Sequence, residues 1–538
     1  MNPTVMKKYF ISLSCTMAAL VALTAVSAGF SPQTKLNYAE KIIEHYYVGD
    51  IDTTEMVDEA LRAMLATLDP HSSYSTPEET RDLNEPLQGN FSGIGISFNL
   101  LNDTLHVIQT VAGGPSEKVG ILAGDRILMA GDSVMSGAKR KNTDIRNILR
   151  GPKGSEVNLK VYRPGTPGII NFHVTRDDIP VYSVDASYMV DPTTGYIRIT
   201  RFADDTPNEV EKALKKLLSQ GMKDIIIDLQ DNGGGYLGAV SSMAEYFLPH
   251  GSMIVYTEGE RVPPSAFLAE GNEIFPADGK IVVLVNQYSA SAAEIFAGAI
   301  QDNDRGIIVG RRTFGKGLVQ RPFPFPDGSM IRLTVSRYHT PSGRCIQKPY
   351  TPGDEDEYSS DMTHRYESGE FFSADSIKLP DGEIYYTKHL NRPVKGGGGI
   401  MPDIFVPLDT TAMTKYFRDL RAKGLITIYE VQYLDKNRKD LKKRFPDAQS
   451  FLTNFNVDST MIAELEKLAA EKEVEPNPEQ LNQALPLINT QIKGLIARDL
   501  FGMDTAFQVY NPMDPVYVEG LKAISDPETY QKILSEQK

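Results

Sequence analysis

Two short segments of almost uninterrupted apolar residues place the strongest constraint on how this chain can fold. They are KDIIIDL at 223–229 and GKIVVLVN at 279–286. Strands without polar alternation are typical of parallel sheets that are buried on both faces. Each segment is followed by a helix candidate, GAVSSMAEYFL after the first and SAAEIFAGAIQ after the second. Strands that alternate with helices predict an α/β layer architecture for this part of the chain.

The sequence of 538 residues is too long for one hydrophobic core, and its pattern of apolar, polar and glycine residues changes several times along the chain. Between about 88 and 177, short β-branched segments alternate with Gly-rich turns, which is typical of a small β-rich domain. The regions on either side of the β-rich and α/β parts have helical periodicity. We predict the following organisation: an export segment or anchor at 1–28, a helical region at 29–87, the β-rich domain at 88–177, the α/β core at 178–410 with a polar insertion or flexible loop at 351–395, and a helical region at 411–538.

The composition excludes several classes of protein. The formal net charge is −14, which argues against nucleic acid as the main partner because phosphate binding needs a basic surface. The cysteines are Cys15 and Cys345, too few for a disulfide framework or a cysteine-rich metal site. The eight histidines have no paired-ligand spacing. We therefore expect no metal and no cofactor.

The first 28 residues predict where the protein resides. Lys7 and Lys8 precede an apolar run that ends in Val26-Ser27-Ala28, a small-residue pattern suited to signal peptidase. The same run is long enough to cross a bilayer, so an uncleaved anchor with membrane association stays open. We favour a cleaved signal peptide and expect a periplasmic or cell-envelope protein.

Three segments of the α/β region carry candidate chemistry. The glycine turn Asn232–Gly235 follows the first apolar strand, and Ser291 stands where the second strand gives way to a helix. A helix N-terminus presents free N–H groups to an anion. Lys316 lies between two glycines, and a lysine acts as a base only when burial lowers its pKa. Taken singly, each has a plain structural alternative: a tight turn, a helix N-cap, or a solvated lysine.

Together and in this order, the segments resemble the C-terminal processing (tail-specific) peptidases, which are PDZ-containing serine proteases with a crotonase-like core. That family pattern runs roughly as DLRxNxGG, SASASEI, TFGKGxVQ, PSGRxIQ and GIxPD. This chain has DLQDNGGG, SASAAEI, TFGKGLVQ, TPSGRCIQ and GIMPDI, and LDPHSSYSTPEE and FSGIGISF match as well. The resemblance covers roughly residues 35–410 and implies a serine endopeptidase that acts on protein or peptide substrates with free C-termini.

The resemblance assigns a role to each matching position. The nucleophile falls on Ser291, the general base on Lys316 and an orienting glutamine on Gln320. No His/Asp pair accompanies the serine at a recognisable spacing, and there is no GxSxG elbow. The resemblance therefore implies a Ser–Lys dyad, a known variant of the nucleophile-plus-base arrangement.

The resemblance also implies an oxyanion hole formed by the amides of Ala292 and of Gly235 or Gly234. Two positions depart from the family pattern. Gln230 replaces the usual Arg of the glycine turn, and Ala293 replaces a common Ser. Because Gln230 is uncharged, an ion pair that positions the glycine turn is in doubt. Neither change falls on Ser291 or Lys316.

The β-rich domain resembles a PDZ domain. SGIGISF looks like a carboxylate-binding loop in which the amides of Gly93, Ile94, Gly95 and Ile96 face a peptide terminus, with the two isoleucines beside an apolar pocket. A domain that serves only as a spacer is the alternative. The helical region after 411 carries no motif that indicates a function. A role in dimerisation or in gating of the site stays open, and the sequence is compatible with a homo-oligomer.

Two other functions are alternatives to the peptidase. One is a non-catalytic PDZ scaffold on an inactive core, which would have no need to keep Ser291, Lys316 and Gln320. The other is a crotonase-type acyl transfer on small thioesters, for which a PDZ domain has no obvious use. We interpret His71 as a turn residue in a different domain, Cys345 as a cysteine without a partner, and 354–357 as a solvated acidic loop.

Overall fold

A computed structural model describes residues 31–111, 113–379 and 384–535, and the chain divides into two compact units after Leu68. The described part of the first unit consists of two helices, α1 (Pro32–Tyr46) and α2 (Thr53–Ala66). Ser31 and Asp52 cap them by accepting backbone N–H groups of the first turn, as short polar residues do at helix starts. The predicted export segment at 1–28 lies outside the described residues.

The second unit begins with β1 (Ser73–Ser75) and α3 (Pro77–Gln88). The predicted helical region 29–87 therefore contains a strand, and its last part belongs to the second unit. The strand could not be read from the sequence because a three-residue segment shows no periodicity. Thr76 forms a capping box with Glu79 at the start of α3, and Pro77 occupies the first helical position.

A β-rich domain follows, as predicted from the Gly-rich turns. Its sheet has the strand order β3-β4-β5-β7-β8 with β6 beside β5, and β2 pairs separately with β9. Leu105, Ile127 and Val161 are fully buried in its core. The elements are β2 (Asn90–Gly93), β3 (Ile96–Leu101), β4 (Thr104–Thr110), α4 (Pro115–Lys118), β5 (Arg126–Ala130), β6 (Ser133–Val134), α5 (Asn142–Leu149), β7 (Glu156–Tyr162), β8 (Ile169–Thr175) and β9 (Asp177–Pro180).

The α/β region contains most of the remaining strands. Both apolar segments of the sequence are strands, β12 and β15, and each is followed by a helix as predicted. The elements are β10 (Val184–Met189), β11 (Thr194–Ile199), α6 (Thr206–Ser219), β12 (Asp224–Asp228), α7 (Leu237–Ala244), β13 (Met253–Glu258), β14 (Ser265–Leu268), β15 (Ile281–Val285), α8 (Ala292–Asp302), β16 (Ile307–Gly310), β17 (Leu318–Pro324) and β18 (Met330–His339).

A polar region follows, where the sequence predicted an insertion or flexible loop at 351–395. The described part of it contains a helix, α9 (Glu355–Glu367), a 3-10 turn (Ala374–Ser376) and a hairpin of β19 (Ile384–Tyr386) and β20 (Pro393–Lys395). Asp354 caps α9 by accepting the amide of Glu357. The acidic run 354–357 therefore begins a helix, because carboxylates are favoured at a helix N-terminus.

The rest of the chain is helical, as predicted, after one short strand. The elements are β21 (Ile404–Phe405), α10 (Lys415–Ala422), α11 (Leu425–Arg444), α12 (Ala448–Asn454), α13 (Ser459–Glu471), α14 (Pro478–Phe501), α15 (Met503–Tyr510), α16 (Pro515–Ser525) and α17 (Pro527–Ser535). Helices α10 to α14 bury a core of their own that includes Leu420, Phe451 and Ile492. Over the residues that the structure describes, no helix has both the length and the apolar character needed to cross a membrane.

The central sheet has the order β10-β11-β12-β15-β16-β21, and all of its pairs except β10–β11 are parallel. On one face, Ile225 and Val283 pack with residues of α6, α7 and α8. On the other face, Val282 and Leu284 pack with residues of α16 and α17. Burial on both faces explains why these strands lack polar alternation, and the arrangement confirms the α/β architecture.

A second sheet has the order β1-β18-β13-β14, with β17 also paired to β18. It brings together strands that are far apart in the sequence, since Ser73 of β1 is in register with Arg332 of β18. The site described next lies where residues that follow the central strands meet β17 and β18.

Candidate active site

The glycine turn and Ser291 meet at the carboxyl edge of two neighbouring parallel strands. The turn follows β12, and Ser291 precedes α8 on the chain that leaves β15. Gly234 has a φ of +100°, and a Cβ added there would lie 2.7 Å from the Cβ of Ser291. A glycine is therefore required by conformation and by space, because a side chain would separate the turn from the serine.

Ser291 itself has an unusual backbone, with a φ of +56°. A positive φ is uncommon for a residue other than glycine and costs free energy that the surrounding structure must offset. The N–H of Ser291 donates to Oε2 of Glu294 at 2.8 Å, and its carbonyl accepts from the amides of Glu294 and Ile295. These bonds hold the strained residue at the start of α8.

The fully buried carboxylate of Glu294 joins the serine segment to the lysine segment. Its Oε2 accepts the backbone N–H of Ser291 and, at 2.9 Å, that of Lys316. Its Oε1 accepts the amide of Gly315 at 2.7 Å and the hydroxyl of Thr313 at 2.5 Å. Burial raises the pKa of Glu294 to about 7, and the four donors act in the opposite direction by favouring the ionised form.

Tyr338 of β18 makes the matching connection on the carbonyl side. Its buried hydroxyl lies 3.1 Å from the carbonyl oxygen of Ser291 and also donates to the carbonyl of Lys316. The two segments are thus held together by a carboxylate that accepts from their amides and by a phenol that contacts their carbonyls. This fixes the spacing between the serine and the lysine.

Among the described residues that line the cavity at this site, Lys316 is the only lysine. Its Nζ donates to Oε1 of Gln320 at 3.1 Å, and desolvation lowers its pKa to about 8. The cation of Arg332 lowers the pKa further, whereas the nearby carboxylates of Glu294 and Asp69 raise it. A neutral amide partner leaves the amine free to lose its proton, which an ionised partner would oppose.

The glycines on either side of Lys316 allow the lysine loop to pack closely. Gly315 has a φ of +88°, and a Cβ there would lie 3.1 Å from the amide of Gly399. A Cβ on Gly317 would lie 2.8 Å from the amide nitrogen of Gln347. The lysine loop therefore lies flush against neighbouring backbone.

The predicted oxyanion donors differ in their hydrogen bonding. The amide of Gly234 donates to Oδ1 of Asn232 at 2.8 Å and is therefore occupied. Within the described part of the chain, the amides of Ala292 and Gly235 donate to no protein acceptor. Gly235 has a φ of +152°, and a Cβ there would clash with the carbonyl of Phe202. Of the two candidate glycines, Gly235 is the one with a free donor.

These residues line one cavity of about 500 Å³. It contains every residue that the sequence assigned to the dyad, to its glutamine and to the oxyanion hole. The cavity also takes in side chains from α3, from β17 and from β18. The lining residues are Asn84, Leu87, Gln88, Gly233, Gly234, Gly235, Tyr236, Leu237, Ser291, Ala292, Ile295, Lys316, Leu318, Val319, Gln320, Pro322, Arg332 and Tyr338.

The interpretation of His71 as a residue of a different domain was wrong. Its carbonyl accepts the side-chain amide of Gln320, so the turn after Leu68 supports the partner of Lys316 directly. Its Nε2 lies 2.8 Å from the hydroxyl of Tyr358 in α9, and burial lowers its pKa to about 4. The neutral imidazole is hydrogen-bonded to a phenol and so holds the turn against α9, which is a structural role.

Two residues that complete the site were missed. Glu294 stands three positions after Ser291, the spacing of a capping box, and that pattern was available in SASAAEI. Tyr338 lies far from both segments in sequence and gave no signal. Gln230, the departure from the family pattern, donates to Oδ2 of Asp514 at 2.6 Å, so a hydrogen bond from an uncharged amide stands where an arginine would allow an ion pair.

The predicted peptide-binding loop lies in the β-rich domain, outside the cavity. Gly93 ends β2, Gly95 has a φ of +72°, and Ile96 begins β3, which is an edge strand of its sheet. The side chain of Ile94 is almost completely buried in the domain core, while Ile96 is half-buried against that core. No cluster of metal-ligating side chains occurs in residues 31–111, 113–379 or 384–535.

Family models match three parts of the chain. Residues 193–356 match peptidase family S41, residues 92–175 match a PDZ domain, and residues 416–502 match a family of unknown function. The first match contains the glycine turn, Ser291, Lys316 and Gln320. The second contains the whole SGIGISF loop, so the β-rich domain is a PDZ domain.

Curated relatives agree with these matches. A carboxyl-terminal-processing protease of Picosynechococcus is 38% identical over 55% of this chain and 72% of its own length. One from Synechocystis is 34% identical over 63% of this chain and 84% of its own length. A carboxy-terminal-processing protease of Bartonella bacilliformis is 34% identical over 56% and 69%. The chain therefore belongs to the carboxyl-terminal processing proteases of peptidase family S41.

Proposed function

We propose that this chain is a serine endopeptidase in which Ser291 is the nucleophile and Lys316 is the general base, on a crotonase-like core. The observation that carries the proposal is that both residues line one cavity and that the lysine amine, with a pKa lowered to about 8, is bonded to the neutral Gln320. The parallel sheet and the glycine turn beside a helix N-terminus support the crotonase-like assignment.

The reaction follows from the positions of these groups. Neutral Lys316 takes the hydroxyl proton of Ser291 as its oxygen attacks a peptide carbonyl carbon. The amides of Ala292 and Gly235 stabilise the resulting oxyanion. Lys316 then gives the proton to the leaving amine, and an acyl-enzyme on Ser291 remains. Water, deprotonated by Lys316, adds to the ester, and collapse of the second intermediate returns the proton to Ser291.

A covalent label tests the nucleophile. A fluorophosphonate should modify Ser291 and leave Ser289 unmodified, because Ser289 is fully buried and its hydroxyl donates to the carbonyl of Leu229 at 2.7 Å. Peptide mapping by mass spectrometry separates the two sites. Labelling of Ser289, or cleavage of an unfolded protein by Ser291→Ala at the wild-type rate, would overturn the assignment.

We further propose that the PDZ domain selects substrates by a free C-terminus. The backbone of Gly93–Ile96 would bind the terminal carboxylate, and the peptide would extend the sheet along the edge strand β3. The names of the relatives, which specify carboxyl-terminal processing, support this substrate class. Two substrates that differ only in a terminal acid or amide test it, since the amide loses a charge-assisted hydrogen bond. Equal cleavage of both would exclude tail recognition and leave the Ser–Lys chemistry intact.

We propose that the protein works in the cell envelope, exported by the segment at 1–28. Support comes from the basic residues, the apolar run and the Val26-Ser27-Ala28 pattern in the sequence. N-terminal sequencing of protein from the envelope fraction should find Gly29 as the first residue. An intact Met1 on membrane-bound material would instead identify an anchor.

A further inference from the structure

The catalytic cavity has an unbalanced set of charges. Its titratable lining side chains are Lys316, Arg332, Tyr236 and Tyr338, and none of the described residues that line it is Asp or Glu. With the base neutral, Arg332 is the one formal charge on this lining. When Lys316 is neutral, a polypeptide that enters the cavity therefore meets a single cation among the described lining residues, in surroundings that are otherwise apolar or neutral.

Arg332 lies on β18, in register with Ser73 of β1 on one side and Pro322 of β17 on the other. Its guanidinium is half-buried and has no hydrogen bond or ion pair to any residue that the structure describes. A guanidinium offers five N–H donors in a planar fork that matches a carboxylate. Because Arg332 lines the cavity, a ligand held there can reach this fork.

The two carboxylates that act on Lys316 together with Arg332, those of Asp69 and Glu294, are engaged elsewhere. Oδ1 of Asp69 accepts the amides of His71 and Ser72 and the hydroxyl of Thr334, and its Oδ2 accepts the hydroxyl of Ser72 at 2.5 Å. Glu294 is saturated by four donors, as described above. Neither carboxylate therefore pairs with Arg332, and its guanidinium can bind a partner from outside the chain.

We propose that Arg332 is a specificity-determining residue that binds a carboxylate of the polypeptide held in the catalytic cavity. The inference rests on the proposed function and adds a preference at the scissile bond, separate from recognition of the tail by the PDZ domain. The carboxylate can come from an Asp or Glu side chain close to the scissile bond or from a chain terminus a few residues beyond it. Segments with Lys or Arg at the same position are disfavoured by like charge.

The same contact has a predictable effect on the base. Lys316 faces Arg332, Glu294, Asp69 and the neutral His71, and Arg332 is the cation that lowers its pKa. A carboxylate bound to Arg332 offsets that cation, so the pKa of Lys316 rises in the complex. Near pH 8, an acidic substrate should therefore show a lower KM together with a lower kcat than its neutral counterpart.

Matched peptides test the proposal. One series places Glu, Gln or Lys at successive positions on each side of a fixed scissile bond. A second series ends a few residues after the bond in an acid or an amide, which separates a side-chain carboxylate from a terminal one. The ratio of kcat/KM for the Glu and Gln peptides is compared within each enzyme, because the ionisation of free Lys316 cancels in that ratio.

Wild type should prefer a carboxylate at one position by about tenfold, the size of one charge-assisted hydrogen bond. Arg332→Gln should lose this preference, and Arg332→Lys should retain part of it. Arg321→Gln is the matched control, since Arg321 is an exposed arginine on the adjacent strand and does not line the cavity, and it should keep the full ratio. Thermal unfolding checks that each variant is folded.

A wild-type ratio near one at every position, in both series, would overturn the proposal. A preference that survives in Arg332→Gln would assign the carboxylate site to another residue and would equally overturn it. Failure of the proposed function is read separately, from undiminished cleavage by Ser291→Ala.

Discussion

Oε2 of Glu294 accepts the backbone N–H of Lys316 at 2.9 Å, although the two residues belong to different segments of the chain. The same oxygen accepts the N–H of Ser291, so one buried carboxylate sets the distance between the proposed base and the proposed nucleophile. We therefore expect Glu294 to affect catalysis by positioning the two residues, without taking part in the proton transfer between them.

Glu294→Gln should lower kcat by about 100-fold or more and should also destabilise the fold. All four groups around the carboxylate are donors, and a glutamine would turn two N–H donors of its own towards two of them. Each unsatisfied buried donor costs about 1–3 kcal/mol. Steady-state kinetics and urea unfolding measure the two effects. A glutamine variant with wild-type kcat would show that the amides of Ser291 and Lys316 hold their positions without this residue.

The pH dependence of cleavage should reflect two groups. Lys316 must be neutral to act, and its pKa is about 8, so kcat/KM should rise with pH through that value. Glu294 must be ionised to accept its four donors, and its pKa is about 7, so the decline towards acid should steepen below that pH. Lys316→Arg should be inactive, because a guanidinium stays protonated. A profile that is flat from pH 6 to 9 would exclude lysine as the base.

Gln320→Glu should move the midpoint of the pH profile upward. The added carboxylate would pair with the Nζ of Lys316 and favour its protonated form, which raises the pKa of the base. Gln320→Ala should also lower kcat, because both the contact to Lys316 and the bond to the carbonyl of His71 are lost. If Gln320→Glu regains activity at high pH and Gln320→Ala does not, the effect of residue 320 on the charge of Lys316 is distinguished from its effect on the position of Lys316.

Gly234→Ala should abolish activity, whereas Gly233→Ala should be tolerated. A Cβ on Gly234 would lie 2.7 Å from the Cβ of Ser291 at a φ of +100°, while a Cβ on Gly233 would have no atom within 4 Å. We expect the first change to cost about 1–3 kcal/mol of stability, as overpacking does. Similar activities for the two variants would contradict the close approach of the turn to the serine.

Ser291→Gly should be inactive and yet more stable than Ser291→Ala. The φ of +56° strains any residue with a Cβ, and glycine relieves that strain by about 1 kcal/mol or more. Thermal unfolding of the two variants compares them directly. A glycine variant less stable than the alanine variant would mean that the backbone at 291 carries no strain.

The sequence predicted the parts of the site that are local. Strands β12 and β15 were readable because burial on both faces removes polar alternation. The place of Ser291 at the end of a strand made it a candidate, and the resemblance gave it its role. Lys316 and Gln320 followed from the resemblance, and family membership is confirmed by the matches to known relatives. Their roles in catalysis stay predictions.

What the sequence could not predict are contacts between distant segments. Tyr338 reaches Ser291 and Lys316 only because β18 folds beside the lysine loop, and nothing in its neighbourhood in the sequence indicates a partner. The hydrogen bond between His71 and Gln320 also joins distant segments. The turn motif around His71 predicts a turn but does not indicate which residue the turn contacts. The helix α9 was expected to be a loop because acidic residues, read without their capping geometry, resemble a solvated segment.

The pairing of Ser73 with Arg332 has a consequence for the order of events during folding. The residues next to it, His71 and Gln320, are bonded across 249 positions of sequence, so this bond requires that β1 has already paired with β18. A chain in which β1 is not docked lacks this support for Gln320, the partner of the proposed base. We therefore expect peptidase activity to appear only after the first strand of the second unit has docked.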